Sequence, residues 1–185
     1  MAMPNTVRRY TVQEVLDFPA DGNRYEVVHG ELLVTPAPQP RHQAVIGEFV
    51  YRLQEYLERL DRRHTLFTAP ADITWDGETL VQPDILVVPP GEVTNDWRSY
   101  KTLLLAVEVV SPSSAHADRV IKRRLYQENR VATYWVVDHD ARVVEVWRPG
   151  DARPEIVVDT LRWRLGEEAP ELEIPLGSLF EELPA

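Results

Sequence analysis

Two acidic residues lie inside hydrophobic stretches of this sequence. Asp84 lies within residues 80–88 and Glu108 within residues 103–110, and each is the only ionisable residue in a run typical of a buried β-strand. Burying an unpaired carboxylate costs several kcal/mol or more, so each acid needs a cation, a hydrogen-bond network or a raised pKa. A divalent metal ion bound by both carboxylates would stabilise the two acids together.

The pattern of the flanking residues indicates how the two acids could meet. Strand alternation places Gln82 and Asp84 on one face of their strand, and Ala106, Glu108 and Val110 on one face of theirs. The carboxylates converge if the two strands are neighbours. Oxygen ligands, with no cysteine and no histidine pair at metal-binding spacing, favour Mg²⁺ or Mn²⁺ over zinc.

A lysine is the third candidate for chemistry. Only Lys101 and Lys122 are lysines among 20 basic residues, so Lys122 stands out in a stretch that otherwise uses arginine. A compact ammonium can deprotonate or sit against a phosphate, whereas a guanidinium cannot do both. Asp118 and Tyr126 lie one helical turn on either side of Lys122 and form a polar stripe with it. The alternative is a lysine placed by chance on an exposed helix face.

The elements that must position these residues follow an α/β order. A capping box at Thr11 predicts a short helix, and His29-Gly30 predicts the turn of an N-terminal β-hairpin. Two long helices are expected over residues 41–62 and 115–129. Strands are expected over 24–28, 31–35, 65–68, 71–75, 79–88, 103–110, 134–137 and 142–147, followed by short strands and a terminal segment, 172–180. The sequence therefore predicts one α/β domain over residues 1–185, with a sheet flanked by two main helices.

Composition limits the classes of partner and compartment. The net charge of −10 argues against a protein that coats nucleic acid by bulk electrostatics. A local basic cluster could still meet a phosphate, although such a cluster is more often a solvated helix face; it comprises Arg119, Lys122, Arg123, Arg124 and Arg130. The sequence has no cysteine, no signal-peptide core in residues 1–10 and no apolar run of membrane-spanning length. It therefore predicts a cytoplasmic protein with no membrane partner.

Five ordered motifs resemble a known family. Segments 25–32, 40–43, 81–88, 107–114 and 134–138, together with Lys122 and Tyr126, are similar to the Uma-type family of putative restriction endonucleases. This family belongs to the PD-(D/E)xK nuclease superfamily. The resemblance implies a restriction-endonuclease-like core with a mixed sheet and a Mg²⁺- or Mn²⁺-dependent endonuclease. It also implies a nucleic-acid substrate, with DNA as the expected one, and the need to cut both strands of a duplex suggests a homodimer.

The resemblance also implies roles for individual residues. Asp84 and Glu108 would be catalytic metal ligands, and Lys122 would stand in for the superfamily lysine, because the usual position holds Val110. Glu31 and His42 fall in family motifs as well. They are either outer contacts of the metal site or structural residues of the hairpin and the helix cap.

Two other functions are compatible with the sequence. The first is a nuclease fold with little or no turnover that binds nucleic acid or protein, although intact Asp84, Glu108 and Lys122 favour the enzyme. The second is a serine hydrolase using Ser111 or Ser113 as nucleophile, with His116 as base and Asp118 as its partner. It is disfavoured because no G-x-S-x-G elbow is present and its candidate residues crowd one strand-to-helix turn.

Overall fold

The computed structural model of the chain describes residues 8–181. Residues 1–7, part of the stretch in which the sequence shows no signal-peptide core, and residues 182–185 lie outside the described residues. Helix α1 (Val12–Leu16) begins at Thr11 with the expected capping box. Strands β1 (Arg24–Val28) and β2 (Glu31–Thr35) form the predicted hairpin, with positive φ at both turn residues, His29 (49°) and Gly30 (79°). Helix α2 spans Pro40–Arg59, so its proline occupies the first turn, where no N–H is needed.

Within the described residues, the rest of the fold has two groups of five strands, each followed by a helix. Strands β3 to β7 span Leu66–Thr68, Ile73–Asp76, Thr79–Val81, Ile85–Val87 and Leu105–Val109. Helix α3 follows; its first part, Ala117–Lys122, is π-helical and its second part, Arg123–Glu128, is α-helical. Strands β8 to β12 span Tyr134–Asp138, Val143–Trp147, Glu155–Val157, Thr160–Trp163 and Leu172–Pro175, and helix α4 spans Leu176–Glu181.

The strands form a mixed six-stranded sheet and two smaller sheets. The large sheet has the order β10-β9-β8-β7-β6-β3, and the smaller ones are β2-β1-β5-β4 and β11-β12. Within the large sheet, β7 and β8 pair in parallel, whereas its other pairs among the described residues are antiparallel. The parallel pair requires a crossover, which α3 supplies. β7, the most apolar predicted strand, is central, as the sequence indicated.

The two faces of the large sheet bury different partners. One face carries Ile85, Val107 and Trp135 and packs against α2 and the C-terminal elements. The opposite face carries Ala106 and Tyr134 and packs against α3 and residues of the four-stranded sheet. The expected mixed α/β fold with two main flanking helices and an N-terminal hairpin is confirmed.

One predicted strand is divided in the structure. Residues 79–88 form two strands, β5 and β6, that belong to different sheets and are separated by Gln82, Pro83 and Asp84. Pro83 has no N–H to donate to a ladder, so the chain leaves one sheet there and enters the other. The expectation of a single strand was therefore wrong, and Asp84 lies just before β6 rather than in the middle of a strand. Within residues 8–181, none of the helices combines the length and apolar character of a membrane span.

Candidate active site

Asp84 and Glu108 come from neighbouring strands at one end of the large sheet. Ile85 pairs with Val107 in the antiparallel β6–β7 ladder, so continuing this register by one residue sets Asp84 opposite Glu108. Alternation places both acids on the face that packs against α3, with Leu86 and Ala106. Each acid is only 2% exposed. The structure thus brings the two acids to one face, as the strand pattern predicted.

Asp84 is held by three different groups. Its Oδ1 accepts a hydrogen bond from Arg24 Nη1 at 2.9 Å, and its Oδ2 accepts one from the backbone N–H of Val109 at 2.9 Å. His42 Nε2 lies 3.4 Å from Oδ2 and donates to the Val109 carbonyl at 2.8 Å, which requires the Nε2–H tautomer. Burial alone would raise the pKa of Asp84, but His42, Arg24 and the Val109 N–H outweigh burial and lower it.

Lys122 is buried among three carboxylates. Its Nζ lies 2.9 Å from Glu26 Oε2, 3.1 Å from Glu108 Oε1 and 3.4 Å from Asp118 Oδ1. Glu108 Oε1 also accepts a hydrogen bond from the hydroxyl of Tyr126 at 3.0 Å. Burial opposes the charge on Lys122, yet the three carboxylates raise its pKa well above the ordinary value. Lys122 is therefore a fixed cation, and it is already directly bound to Glu108.

The π-helical part of α3 supplies Asp118 and Lys122 to this cluster. Asp118 and Lys122 are four residues apart, a spacing that sets side chains on the same side of a helix, and their charged atoms lie 3.4 Å from each other. Lys122 and Asp118 are both buried, whereas Arg123 and Arg124 immediately after them are not. The predicted polar stripe of Asp118, Lys122 and Tyr126 thus faces the sheet rather than solvent.

Glu26, like Arg24, is a site residue that the sequence interpretation missed. It is fully buried on β1, contacts Lys122, and accepts a hydrogen bond from the backbone N–H of Gln82 at 2.7 Å. Alternation along β1 places Arg24, Glu26 and Val28 on one face, so the hairpin delivers both Arg24 and Glu26 to the site. No local signal marked Glu26, because its strand also carries Arg24 and an alternating acid in a hairpin strand normally faces solvent.

The buried charges of the site do not balance. Glu26, Asp84, Glu108 and Asp118 are each no more than 2% exposed, and the cations in contact with them are Lys122 and the partly buried Arg24. Four ionised carboxylates against two fixed cations would leave an excess of two negative charges with His42 neutral, and the raised pKa values of Glu108 and Asp118, caused first by burial, relieve part of that excess when no cation is bound. Burial raises the pKa of Glu108 well above its ordinary value. Lys122 opposes this shift, whereas Asp118 and Asp84 add to it. A divalent cation would offset an excess of this size.

A cavity of about 370 Å³ gives access to these residues. Its walls are the segment after β2, the start of α2, the loop between β7 and α3, and the turn after β8; the lining residues include Pro36, Pro38, Arg41, His42, Asp84, Glu108, Ser111, Ser113, Ser114, Lys122 and Asp140. Ligand sites commonly form at such an end of a sheet, where parallel strands finish. The cavity reaches both central acids.

The donors in this cavity fit a hard divalent cation. Asp84 and Glu108 offer carboxylate oxygens on adjacent strands, and the excess negative charge favours a dication. Among residues 8–181, no group of three or more His, Cys, Asp or Glu side chains is arranged to hold a metal ion. An ion bound there would therefore complete its coordination with water or substrate oxygens, as Mg²⁺ commonly does.

The other predicted site residues divide between the site and the surface. His42 lies at the site, against Asp84. Glu31 is exposed at the hairpin end of β2 and does not line the cavity, so it has no place among the contacts of Asp84 and Glu108. Ser111 and Ser113 line the cavity, but their hydroxyls bond to each other at 3.0 Å, and Asp118 contacts Lys122. His116, the candidate base, is exposed, and no triad is assembled.

Comparison with known proteins identifies the fold and the family of the chain. None of the curated proteins matches the sequence. A crystal structure of a putative nuclease belonging to DUF820, from Anabaena variabilis, has the same fold with a TM-score of 0.76 at 20% sequence identity, covering 93% of this chain and 98% of that one. The model of the Uma2 family, described as "Putative restriction endonuclease", matches residues 12–177. Because this match spans nearly all of the described residues, it confirms the resemblance read from the motifs, and the chain belongs to the Uma2 family.

Proposed function

We propose that this protein is a divalent-metal-dependent nuclease that hydrolyses phosphodiester bonds of nucleic acid, with DNA as the principal substrate. The observation that carries the proposal is the pair Asp84 and Glu108, buried on one face of the sheet and lining a cavity where carboxylates outnumber the cations that contact them. Family membership and the fold of the Anabaena protein support a nuclease in general. The metal dependence and the DNA substrate are the parts of the proposal that these similarities do not supply.

Asp84 and Glu108 would hold Mg²⁺ or Mn²⁺. When bound, such an ion acidifies a water molecule and stabilises negative charge on the phosphoryl oxygens. Arg24 and the Val109 N–H keep the Asp84 carboxylate ionised and fix its orientation. His42 and Tyr126 restrain the two acids from opposite sides of the sheet end. The chain's own groups thus hold the ligand oxygens in one arrangement before substrate arrives.

Lys122 would contribute a permanent positive charge beside Glu108. Its three carboxylate neighbours keep it protonated, so it would stabilise charge and would not remove a proton from water. The sequence alone also allowed Lys122 to act by giving up its proton, and this second role is not part of the proposal. Homodimer formation, which would place two such sites on a duplex, stays a prediction that size-exclusion chromatography with light scattering can test.

The test is a cleavage assay on single-stranded and duplex DNA and RNA, with Mg²⁺, Mn²⁺ or EDTA added in parallel. We expect cleavage with either metal and none with EDTA. Asp84→Asn and Glu108→Gln should each lower the rate by about a thousandfold or more, because several kcal/mol of transition-state stabilisation depend on the ligand pair. Asp159→Asn, which changes an exposed aspartate that lines neither cavity of the site region, is the matched control and should cleave like the unmodified protein.

Cleavage that persists in EDTA, or in both Asp84→Asn and Glu108→Gln, would contradict the proposal. Tight binding without any cleavage in either metal would instead favour the alternative function, a nuclease fold used for binding.

A further inference from the structure

A second cavity, of about 260 Å³, lies on the other side of the Arg24–Asp84 ion pair. It shares Arg24, Pro38 and Asp84 with the first cavity. Its remaining lining residues come from α2, from the end of the edge strand β3 and from the link between β5 and β6; they are Gln43, Ile46, Thr68, Ala69, Pro70 and Gln82. The two cavities therefore flank one carboxylate of the acid pair.

The second cavity differs from the first in chemistry. Apart from the shared Arg24 and Asp84, its lining holds no charged side chain and combines apolar surfaces with two amides and a hydroxyl. Ile46 is 8% exposed and forms an apolar floor, whereas Gln43, Thr68 and Pro70 are exposed at the rim. An apolar slot rimmed by uncharged hydrogen-bonding groups suits the flat, polar-edged shape of a nucleobase.

Gln43 is the rim residue with hydrogen bonds to offer. Its side-chain amide has no partner among residues 8–181, whereas the Gln82 amide already donates to Asp72 Oδ1 at 2.7 Å. A free glutamine amide can donate and accept at once, and such paired hydrogen bonds are how Gln reads an adenine edge. Gln43 and Ile46 lie three residues apart on α2, so one helix face supplies both the rim amide and part of the floor.

The size of the cavity limits what can enter. Pockets for drug-sized ligands begin at about 300 Å³, so this cavity suits a smaller group such as one base. A base paired within a duplex presents only its edges to a protein and cannot enter such a slot. A base that does enter would bring its own backbone phosphate towards the Asp84 wall that both cavities share.

We propose that the second cavity is a subsite for one unpaired nucleobase next to the cleaved phosphodiester, and that Gln43 determines which base it accepts. The inference rests on the proposed nuclease function, because it places the base relative to the metal-binding acids. It assigns a substrate class: strands that are single or that can release one base from the stack.

The test measures binding separately from cleavage. Fluorescence anisotropy with EDTA present would follow the labelled strands dA12, dC12, dT12 and rA12 and the duplex dA12–dT12. We expect single strands to bind about tenfold or more tightly than the duplex, with dA12 preferred among the DNA strands. Gln43→Ala should remove the preference among bases. Gln54→Ala, which removes an amide from the same helix outside both cavities, should keep it.

If Gln43→Ala no longer distinguishes dA12, dC12 and dT12, the subsite is supported, whichever base the unmodified protein prefers. Equal binding of duplex and single strands, or an unchanged base ranking in Gln43→Ala, would overturn it. The two proposals fail separately: selective strand binding without cleavage in Mg²⁺ would remove the nuclease alone, whereas cleavage indifferent to Gln43 would remove the subsite alone.

Discussion

The contacts of Lys122 make it part of the site's architecture as well as a candidate for its chemistry. Its ammonium has three N–H donors and three carboxylate neighbours within 3.4 Å, and the residue is 3% exposed. A substrate phosphate could reach it only by displacing one of these partners. The sequence-based expectation of a lysine extending freely towards a phosphate is therefore replaced by a buried charge that neutralises part of an acidic cluster.

Removing this charge should destabilise the fold. Lys122→Met leaves Glu26, Glu108 and Asp118 without their cation, and an uncompensated buried charge costs about 3–5 kcal/mol. Urea denaturation monitored by circular dichroism measures the loss. Glu26→Gln in the Lys122→Met background should recover part of it, because one of the unpaired carboxylates is then removed. If the double variant loses as much stability as the sum of the two single variants, Glu26 and Lys122 are not coupled.

Besides the contacts of Lys122 and Tyr126 with Glu108, an arginine joins helix α3 to the sheet. Arg119 donates from Nε to Glu145 Oε1 at 2.6 Å and from Nη2 to Asp138 Oδ2 at 2.7 Å. This contact joins the π-helical segment that carries Asp118 and Lys122 to strands β8 and β9. Burial would raise the pKa of Asp138, but the Ala141 N–H and Arg119 outweigh it and lower the pKa. The helix position thus depends on a partly buried ion pair.

A pH-dependent loss of stability should follow from this pair. Asp138→Asn should lower the free energy of unfolding by about 1 kcal/mol at pH 7, as expected for a well-aligned, partly exposed pair. The folded pKa of Asp138 is below its unfolded value, so its contribution is present above the unfolded pKa, about 3.9, and is lost as pH falls through the lower folded pKa.

The free energies of unfolding of Asp138→Asn and the unmodified protein, measured by urea denaturation, should therefore converge as the pH falls below about 4. Asp140→Asn, two residues along and with a side chain 67% exposed, is the control and should change stability by less than about 0.5 kcal/mol at any pH. A difference for Asp138→Asn that stays constant from pH 7 to pH 3.5 would contradict the ionic origin of this anchor.

The elements that the sequence predicted are those with strong local signals. The capping box at Thr11, the His29-Gly30 turn, the periodicity of α2 and the apolar run of β7 depend on residues near one another in the chain. Two features depended on distant partners. The break between β5 and β6 arises because the segment joins two sheets. The π-helical segment carries Lys122, whose contacts Glu26 and Glu108 come from other elements.

The same distinction explains which site residues could be found. Asp84 and Glu108 are isolated acids in almost wholly apolar runs, so their sequence context alone marks them. Glu26 lies in a hairpin strand with polar neighbours, where an alternating acid normally faces solvent. Its burial follows only from the packing of the four-stranded sheet against α3, which no local pattern reveals. The place of Gln43 at the rim of a cavity likewise depends on residues distant in the chain, because Thr68, Pro70 and Gln82 line that cavity with it.

At the scale of the whole molecule, the net charge of −10 limits how nucleic acid can bind. The cavity is lined by Arg24, Arg41 and Lys122, and each of these cations contacts an acid. Arg24 and Arg41 are less deeply buried than Lys122 and would be the cations that meet phosphate. About two phosphate contacts to a single strand predict a slope of about −1.4 for log K against log salt concentration, from roughly −0.7 per contact. Anisotropy titrations between about 50 and about 300 mM KCl, roughly a sixfold range of salt concentration, measure this slope.

Arg41→Ala should make this slope shallower by about 0.7, since one contact is removed. A slope steeper than about −4 would mean that a broad basic surface dominates binding, which the charge distribution does not support.

The central claim is that Asp84 and Glu108 together bind a divalent cation that offsets the buried negative charge. Isothermal titration calorimetry with Mn²⁺ at pH 7.5 measures this directly, without any assumption about substrate. We predict about one Mn²⁺ per chain, from an excess of two negative charges, with affinity lowered about tenfold or more in Asp84→Asn and Glu108→Gln and unchanged in Asp159→Asn. No measurable Mn²⁺ binding, or equal binding in both acid variants, would contradict the account.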